Sequence, residues 1–108
     1  MQYPSLDAFL LDLPALAMPY QQQLSVHDNL FKVVREDGRT FFIAVENGLV
    51  QVHDESDVIP SCIISMKEQT ILDVIAGKLN PVKALMFGGI RVQGDVKPLL
   101  RLCSLIGG

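Results

Sequence analysis

The chain has 108 residues, of which 49% are hydrophobic, and it carries a formal net charge of −3. A single domain of this size has a limited interior, so the apolar surplus predicts a ligand cavity, a partner interface or a membrane contact besides the core. The acidic balance and the scattered Lys and Arg residues exclude nucleic acid as an expected partner, because neutralising phosphates needs concentrated positive charge.

No targeting or membrane-spanning segment is expected. Residues 1–31 contain no Lys or Arg, so the charged region of a signal peptide is missing, and the apolar run at 9–18 is too short to cross a bilayer. Cys62 and Cys103 each lie in an apolar context and are expected to be buried thiols, which suits a reducing compartment. We therefore expect a cytoplasmic protein.

An amphipathic helix is predicted near the N-terminus. Its apolar residues follow the candidate N-cap Ser5 at helical spacing: Leu6, Phe9, Leu10 and Leu13. Pro14 is expected to stop or restart this helix, and the polar run at 21–23 is expected to connect to the first strand. Neither Lys nor Arg lies nearby, and the carboxylates of Asp7 and Asp12 would be repelled by anionic headgroups. We therefore expect the helix to fold back over the domain as a lid rather than to act as a membrane anchor.

The middle of the chain is predicted to form an antiparallel meander. Residues 30–35, 40–46 and 49–53 are rich in β-branched and aromatic residues, and Asp37-Gly38 and Asn47-Gly48 between them supply the positive φ angles of tight hairpin turns. Both faces of the middle strand are apolar, so we expect helices on one face and a partial cover on the other. An acidic loop at 54–57 and a fourth strand at 62–66 follow.

The last third alternates helices with turns. Ser65 and Glu68 have the spacing of a capping box for a helix that ends near Gly77, and Asn80-Pro81 is typical of a helix start. Gly88-Gly89 is expected to end that second helix, residues 90–92 to form a short strand, and Asp95 to cap a final helix. Together with the hairpins, these signals predict an α/β (α+β) domain with a mainly antiparallel sheet and flanking helices.

Groups for catalysis or metal binding are sparse. His27 and His53 are the only histidines, and no His-x-x-x-His or Cys-x-x-Cys spacing exists. A Cys–His nucleophile pair is formally available, but both cysteines occupy apolar stripes that disfavour a thiolate. We therefore predict no enzyme, no catalytic residue, no metal and no cofactor.

The order of motifs from residue 30 to residue 106 resembles the sterol carrier protein type 2 family. The matching segments are the turn at 47–48, DVIPSCIISM at 57–66, GKLNP at 77–81, the helix at 84–88 and IRVQGD at 90–95. The resemblance implies a stand-alone domain of the bacterial type, 1–108, with a divergent helical segment at 1–28. It also implies a five-stranded mixed sheet whose helices enclose an apolar tunnel for fatty acyl chains, sterols or other lipids.

The resulting functional prediction is non-enzymatic lipid binding or transfer, with a fatty acid, acyl-CoA, sterol or prenyl lipid as ligand. The predicted cavity wall consists of Phe41, Ile43, Ile71, Ile75, Leu79, Leu85, Met86, Leu99, Leu102, Cys103 and Ile106. The same helical residues would otherwise form a filled core. An alternative function is an accessory scaffold or interaction module, for example one that presents a prenyl lipid to enzymes of isoprenoid-quinone synthesis. A homodimer or a protein partner stays open, and membrane contact is expected to be at most transient.

Overall fold

Five strands form one mixed sheet in the order β3-β2-β1-β4-β5. The computed structural model describes residues 2–87 and 89–107. The strands are β1 (Asn29–Val34), β2 (Thr40–Glu46), β3 (Leu49–His53), β4 (Cys62–Met66) and β5 (Ile90–Gly94). All neighbouring pairs are antiparallel except β1 and β4, which run parallel. This arrangement confirms the predicted mixed sheet with flanking helices.

Helices lie before, between and after the strands. They are α1 (Leu6–Ala17), a 3₁₀ turn (Met18–Tyr20), α2 (Gln21–Leu24), α3 (Glu68–Ile75), α4 (Pro81–Met86) and α5 (Lys97–Gly107). Ser5 caps α1 by accepting a hydrogen bond from the Ala8 N–H at 3.2 Å, as its position predicts. Asn80 caps α4 in the same way through the Val82 N–H at 2.8 Å, and Asp95 accepts from the Lys97 N–H at 3.0 Å at the start of α5.

The β2–β3 hairpin depends on its turn residues. Asn47 and Gly48 both have positive φ, 54° and 80°, as the predicted hairpin turn requires. A Cβ atom on Gly48 would lie only 2.2 Å from the Gln21 carbonyl oxygen, so α2 packs directly on this turn. Glycine is therefore required here by both backbone conformation and space.

One face of the sheet is buried under helices. Its side chains come from alternate positions of all five strands: Phe31, Val33, Phe41, Ile43, Val45, Val50, Val52, Cys62, Ile64, Met66, Ile90 and Val92. Helices α1, α3, α4 and α5 pack over this face and complete the core. On the other face, the loop at 54–61 lies beside Leu30 and Ala44, which provides the partial cover that the apolar pattern predicts.

Several boundaries differ from the predicted ones. The helix does not stop at Pro14, because buried residues on both sides of it, Leu13 and Ala17, hold α1 against the core. The run at 21–23 forms the turn of α2 rather than a connecting loop. The first strand spans Asn29–Val34 and the fifth extends to Gly94. Helix α4 ends at Met86, before the Gly88-Gly89 pair that is predicted to end it, and the Gly89 N–H donates to the Ala84 carbonyl at 2.7 Å. Gly88 itself lies outside the described residues.

The predicted capping box at the start of α3 is wrong. Ser65 lies within β4, where it pairs with Arg91, and the N-cap position of α3 is Lys67, whose side chain makes no capping bond. The Glu68 N–H instead donates to Glu36 Oε1 at 2.9 Å, a residue 32 positions earlier in the chain. Spacing along the sequence could not reveal this distant partner.

Candidate functional site

A cavity of about 100 Å³ lies between the buried sheet face and the helices. Twenty residues line it, drawn from α1, α3, α4, α5 and four of the strands. None of these side chains carries an oxygen or nitrogen atom; the sulfur atoms of Met66 and Cys103 are the only heteroatoms among them. Such a lining can hold hydrocarbon but offers no side-chain hydrogen bond to a ligand.

The structure brings nine of the eleven predicted wall residues to this cavity. They are Phe41, Ile43, Ile71, Ile75, Leu85, Leu99, Leu102, Cys103 and Ile106. The 3.6-residue periodicity of α3 and α5 and the two-residue periodicity of β2 locate these side chains correctly. Their role in binding a lipid stays a prediction.

The other two predicted wall residues do not line the cavity. Met86 is 73% exposed, because α4 turns Ala84 and Leu85 toward the core and carries Met86 on its opposite side. Leu79 packs against the core in the segment that precedes α4, outside the cavity lining. Short helices have too few turns for the apolar pattern to fix which face is buried.

Sequence reasoning missed eleven lining residues, and four of them lie on α1. The missed residues are Leu6, Phe9, Leu10, Leu13, Val33, Ile64, Met66, Val74, Pro81, Ile90 and Leu100. The α1 stripe was recognisable, and the predicted fold-back of this helix is the position that the structure shows. The missed strand residues follow from register, since Val33 lies between Phe41 and Ile64 on neighbouring strands.

A polar cluster lies at one edge of the cavity, where the N-termini of α1 and α3 meet the β1–β2 hairpin. This Arg35 cluster consists of Arg35, Asp7, Glu36 and Glu68. Arg35 Nη1 donates to Asp7 Oδ1 at 2.8 Å, and Arg35 Nη2 lies 3.7 Å from Glu68 Oε1. Glu68 Oε1 also accepts from the Leu6 N–H at 2.8 Å, which satisfies a free amide in the first turn of α1.

The Arg35 cluster therefore fixes the N-terminus of α1 to α3 and to the hairpin. The hydrogen bond that Arg35 donates to Asp7 lowers the pKa of Asp7 and raises the pKa of Arg35. A second pocket of about 190 Å³ next to the cluster shares the lining residues Leu6, Val33, Met66 and Ile71 with the apolar cavity. The cluster thus lies directly beside the apolar interior.

Neither cysteine is placed for nucleophilic chemistry. Burial raises the pKa of Cys103, which lines the cavity, to about 11, and burial with the nearby Asp95 carboxylate raises that of Cys62 to about 11. Both thiols therefore stay protonated at neutral pH. His27 and His53 are exposed.

The described residues contain neither a metal-binding cluster nor a membrane-spanning helix. Within residues 2–87 and 89–107, no three His, Cys, Asp or Glu side chains group closely enough to hold a metal ion. Over the same ranges, no helix is long and apolar enough to cross a membrane.

Comparison with solved structures defines the fold. The chain superposes on palmitated SCP2L2 from Aedes aegypti with a TM-score of 0.72 and 16% identity, covering 94% of each chain. It superposes on a structure described as "UbiJ-SCP2 Ubiquinone synthesis protein" with a TM-score of 0.68 and 16% identity, covering 94% of this chain and 82% of that one. At these identities the likeness establishes a shared α+β architecture.

The family follows from sequence. The model of the SCP-2 sterol transfer family matches residues 15–107, so the chain belongs to that family. Sterol carrier protein 2 from Rattus norvegicus is 32% identical over 66 residues, which are 61% of this chain and 12% of the rat protein. The chain thus corresponds to about an eighth of the length of that relative.

Proposed function

We propose that the protein binds the hydrocarbon portion of one lipid in the cavity between the sheet and helices α1, α3 and α5, and carries or transfers that lipid without chemical change. The observation that supports this most directly is the cavity lining, which has no oxygen or nitrogen side-chain atom over twenty residues. Membership of the SCP-2 sterol transfer family supports the same ligand class. Fatty acids, acyl-CoA, sterols and prenyl lipids all present a hydrocarbon portion of this kind.

Apolar burial alone suffices for binding. A chain of about 16 carbons gains about 13 kcal/mol gross at about 0.8 kcal/mol per methylene. Association and ordering cost about 4–15 kcal/mol, which leaves room for micromolar or tighter affinity. The headgroup must remain outside the apolar lining, because burying it there without a hydrogen-bond partner would cost free energy.

The cavity has to enlarge when a ligand enters. Its volume is about 100 Å³, whereas pockets that hold drug-sized ligands measure about 300–1,000 Å³. Helix α1 supplies four lining residues and takes no part in the sheet, so its displacement would open the cavity without breaking a strand pairing. We therefore propose α1 as the lid, with the Arg35 cluster as the contact that keeps it closed.

A cavity-filling variant tests the proposal. Leu102 lines the cavity and is 5% exposed, so Leu102→Trp should fill the space and reduce saturable uptake of a fluorescent fatty acid by about tenfold. Leu11→Trp is the matched control, because Leu11 is 83% exposed on the outer side of α1. Circular dichroism establishes that both variants are folded. Equal uptake by the two variants would contradict a site in this cavity.

Native mass spectrometry of the purified protein is the complementary experiment. Co-purified lipid would give the ligand class directly through its mass. A protein that carries no lipid and takes up none of the four candidate classes would contradict the proposed function.

The scaffold or interaction module is the second candidate. Its contact surface would be the exposed apolar side chains Val82, Met86 and Phe87. The similar structure described as a ubiquinone synthesis protein is compatible with presentation of a prenyl lipid to enzymes. This function predicts concentration-dependent association with weak fatty-acid uptake, whereas a carrier predicts saturable uptake by a monomer.

A further inference from the structure

Helix α4 has two different apolar sides. Pro81 and Leu85 line the cavity. On the outer side, Met86 is 73% exposed and Phe87 is 82% exposed, and Val82 lies one turn before Met86. These three residues form what we call the α4 patch. Large apolar side chains with this exposure lower the solubility of a protein. A cluster of three on one short helix and its C-cap residue therefore indicates a binding surface.

The charges around this patch differ in sign from those of the remaining chain. Residues 76–108 contain five Lys or Arg residues and one acidic residue, Asp95, whereas residues 1–75 contain four Lys or Arg residues and eleven acidic ones. The C-terminal third is therefore strongly basic in a chain whose net charge is −3. A protein with such a charge asymmetry is oriented by the electric field of a charged surface.

Four basic residues of this part of the chain are exposed and lie on α4, directly before it, or on α5. Lys78 precedes α4 and Lys83 lies within it, while Lys97 and Arg101 lie one turn apart on α5, which packs against α4. We call these four residues the basic rim. Among the described residues, none of the four lies within ion-pairing distance of a carboxylate. Lys97 and Arg101 carry like charges one turn apart, which slightly destabilises α5. These two cations therefore do not serve the stability of the helix, which is consistent with a role in binding.

We propose that the α4 patch and the basic rim dock the protein onto an anionic bilayer. An apolar cluster surrounded by Lys and Arg is the combination that binds a membrane surface, since the apolar side chains enter the interface and the cations attract acidic headgroups. Each basic residue near such a surface strengthens binding about fivefold. The strongly acidic part of the chain, 1–75, favours an orientation that holds it away from the bilayer.

A protein partner or a second copy fits this surface less well. A cluster of three apolar side chains is small beside the roughly 20–30 residues that each partner contributes to a stable protein interface. The exposed apolar residue of α1, Leu11, lies in a surface pocket that carboxylates and the cations of Arg35 and Arg39 line together. The segment that contains α4 carries Lys78 and Lys83 and has no carboxylate between residues 74 and 94, so its surroundings are the more uniformly basic. The docking proposal does not depend on what occupies the cavity.

Vesicle co-sedimentation tests the proposal with two lipid compositions, phosphatidylcholine alone and phosphatidylcholine mixed with phosphatidylglycerol. We expect binding to the anionic vesicles only, and its loss at about 1 M salt, where the Debye length falls to about 3 Å. The double variant Met86→Ser with Phe87→Ser should weaken binding at least about tenfold because two apolar side chains no longer enter the interface. Lys83→Gln should weaken it about fivefold.

Matched controls separate this surface from general effects of charge and hydrophobicity. Leu11→Ser removes an exposed apolar side chain, and Lys67→Gln removes an exposed cation, both outside the proposed surface; each should bind as the unmodified protein does. Absence of binding to anionic vesicles, or equal losses in variants and controls, would overturn the proposal. Sedimentation velocity without lipid supplies a further check: self-association that the Met86 and Phe87 substitutions abolish would assign the patch to a second copy instead.

Discussion

Two of the helices that line the cavity, α1 and α4, are held in place by different means. Helix α1 has twelve residues, buries four of them and has its N-terminus fixed by the Arg35 cluster. Helix α4 has six residues, buries only Ala84 and is capped locally by Asn80. Helix α1 therefore contributes stability through burial and is held by a polar contact that can break, whereas α4 contributes little burial and leaves its outer side exposed.

The largest expected effect concerns burial. Leu13 on α1 is 2% exposed, so Leu13→Ala should lower the free energy of unfolding by about 2–5 kcal/mol through lost burial and a new cavity. Met86→Ala on α4 should change it by less than about 0.5 kcal/mol, because the side chain is already in water. Urea unfolding followed by circular dichroism measures both. Similar losses in the two variants would mean that α4 is as much a part of the core as α1.

An intermediate effect is expected at the polar contact that holds α1. Arg35→Gln removes the ion pairs to Asp7 and Glu68, so release of a fluorescent fatty acid should become about two- to fivefold faster. Arg39→Gln is the matched control, since Arg39 pairs only with Asp37 inside the hairpin among the described residues. Stopped-flow transfer to acceptor vesicles gives the rate. Equal release rates in the two variants would mean that the Arg35 cluster does not control the opening of the lid.

Much of the fold follows from local signals. The bounds of β2, β3 and β4 agree with the predicted ones, because hairpin glycines and alternating apolar residues are properties of neighbouring positions. The caps at Ser5, Asn80 and Asp95 are local as well, because each side chain accepts from a backbone N–H only two or three residues away. The predictions that failed depended on distance along the chain: Glu68 has the spacing to cap its own helix, yet its carboxylate accepts from Leu6.

The residues of the candidate site could likewise be predicted only where neighbouring positions determine which face of an element is buried. Periodicity assigned Ile71 and Ile75 on α3 and four residues of α5 to the cavity, but it missed Val74 and Leu100 on the same two helices. It could not assign Met86, because either side of a six-residue helix could be buried until its neighbours are known. The sequence also predicts that Pro14 stops or restarts the helix, although tertiary packing of Leu13 and Ala17 outweighs the lost hydrogen bond.

The smallest expected effect is a pH dependence confined to the α1 side. The Arg35 hydrogen bond lowers the pKa of Asp7 below its ordinary value of 3.8, so the folded state binds the proton less readily than the unfolded chain does. The resulting stabilisation is fully present above 3.8 and is lost as the pH falls through the lower folded pKa.

The rate of lipid release should therefore not change with pH near neutrality. It should increase only when the pH falls through the lowered pKa of Asp7 in the folded protein, because protonated Asp7 no longer pairs with Arg35. Asp7→Asn, which cannot titrate, should release lipid slightly faster than the unmodified protein at neutral pH and should show a weaker acid response. Asp12→Asn is the matched control, since Asp12 lies on the same helix and accepts from the Tyr3 hydroxyl rather than from Arg35. An acid response that persists in Asp7→Asn but disappears in Asp12→Asn would place the contact that holds α1 at Tyr3.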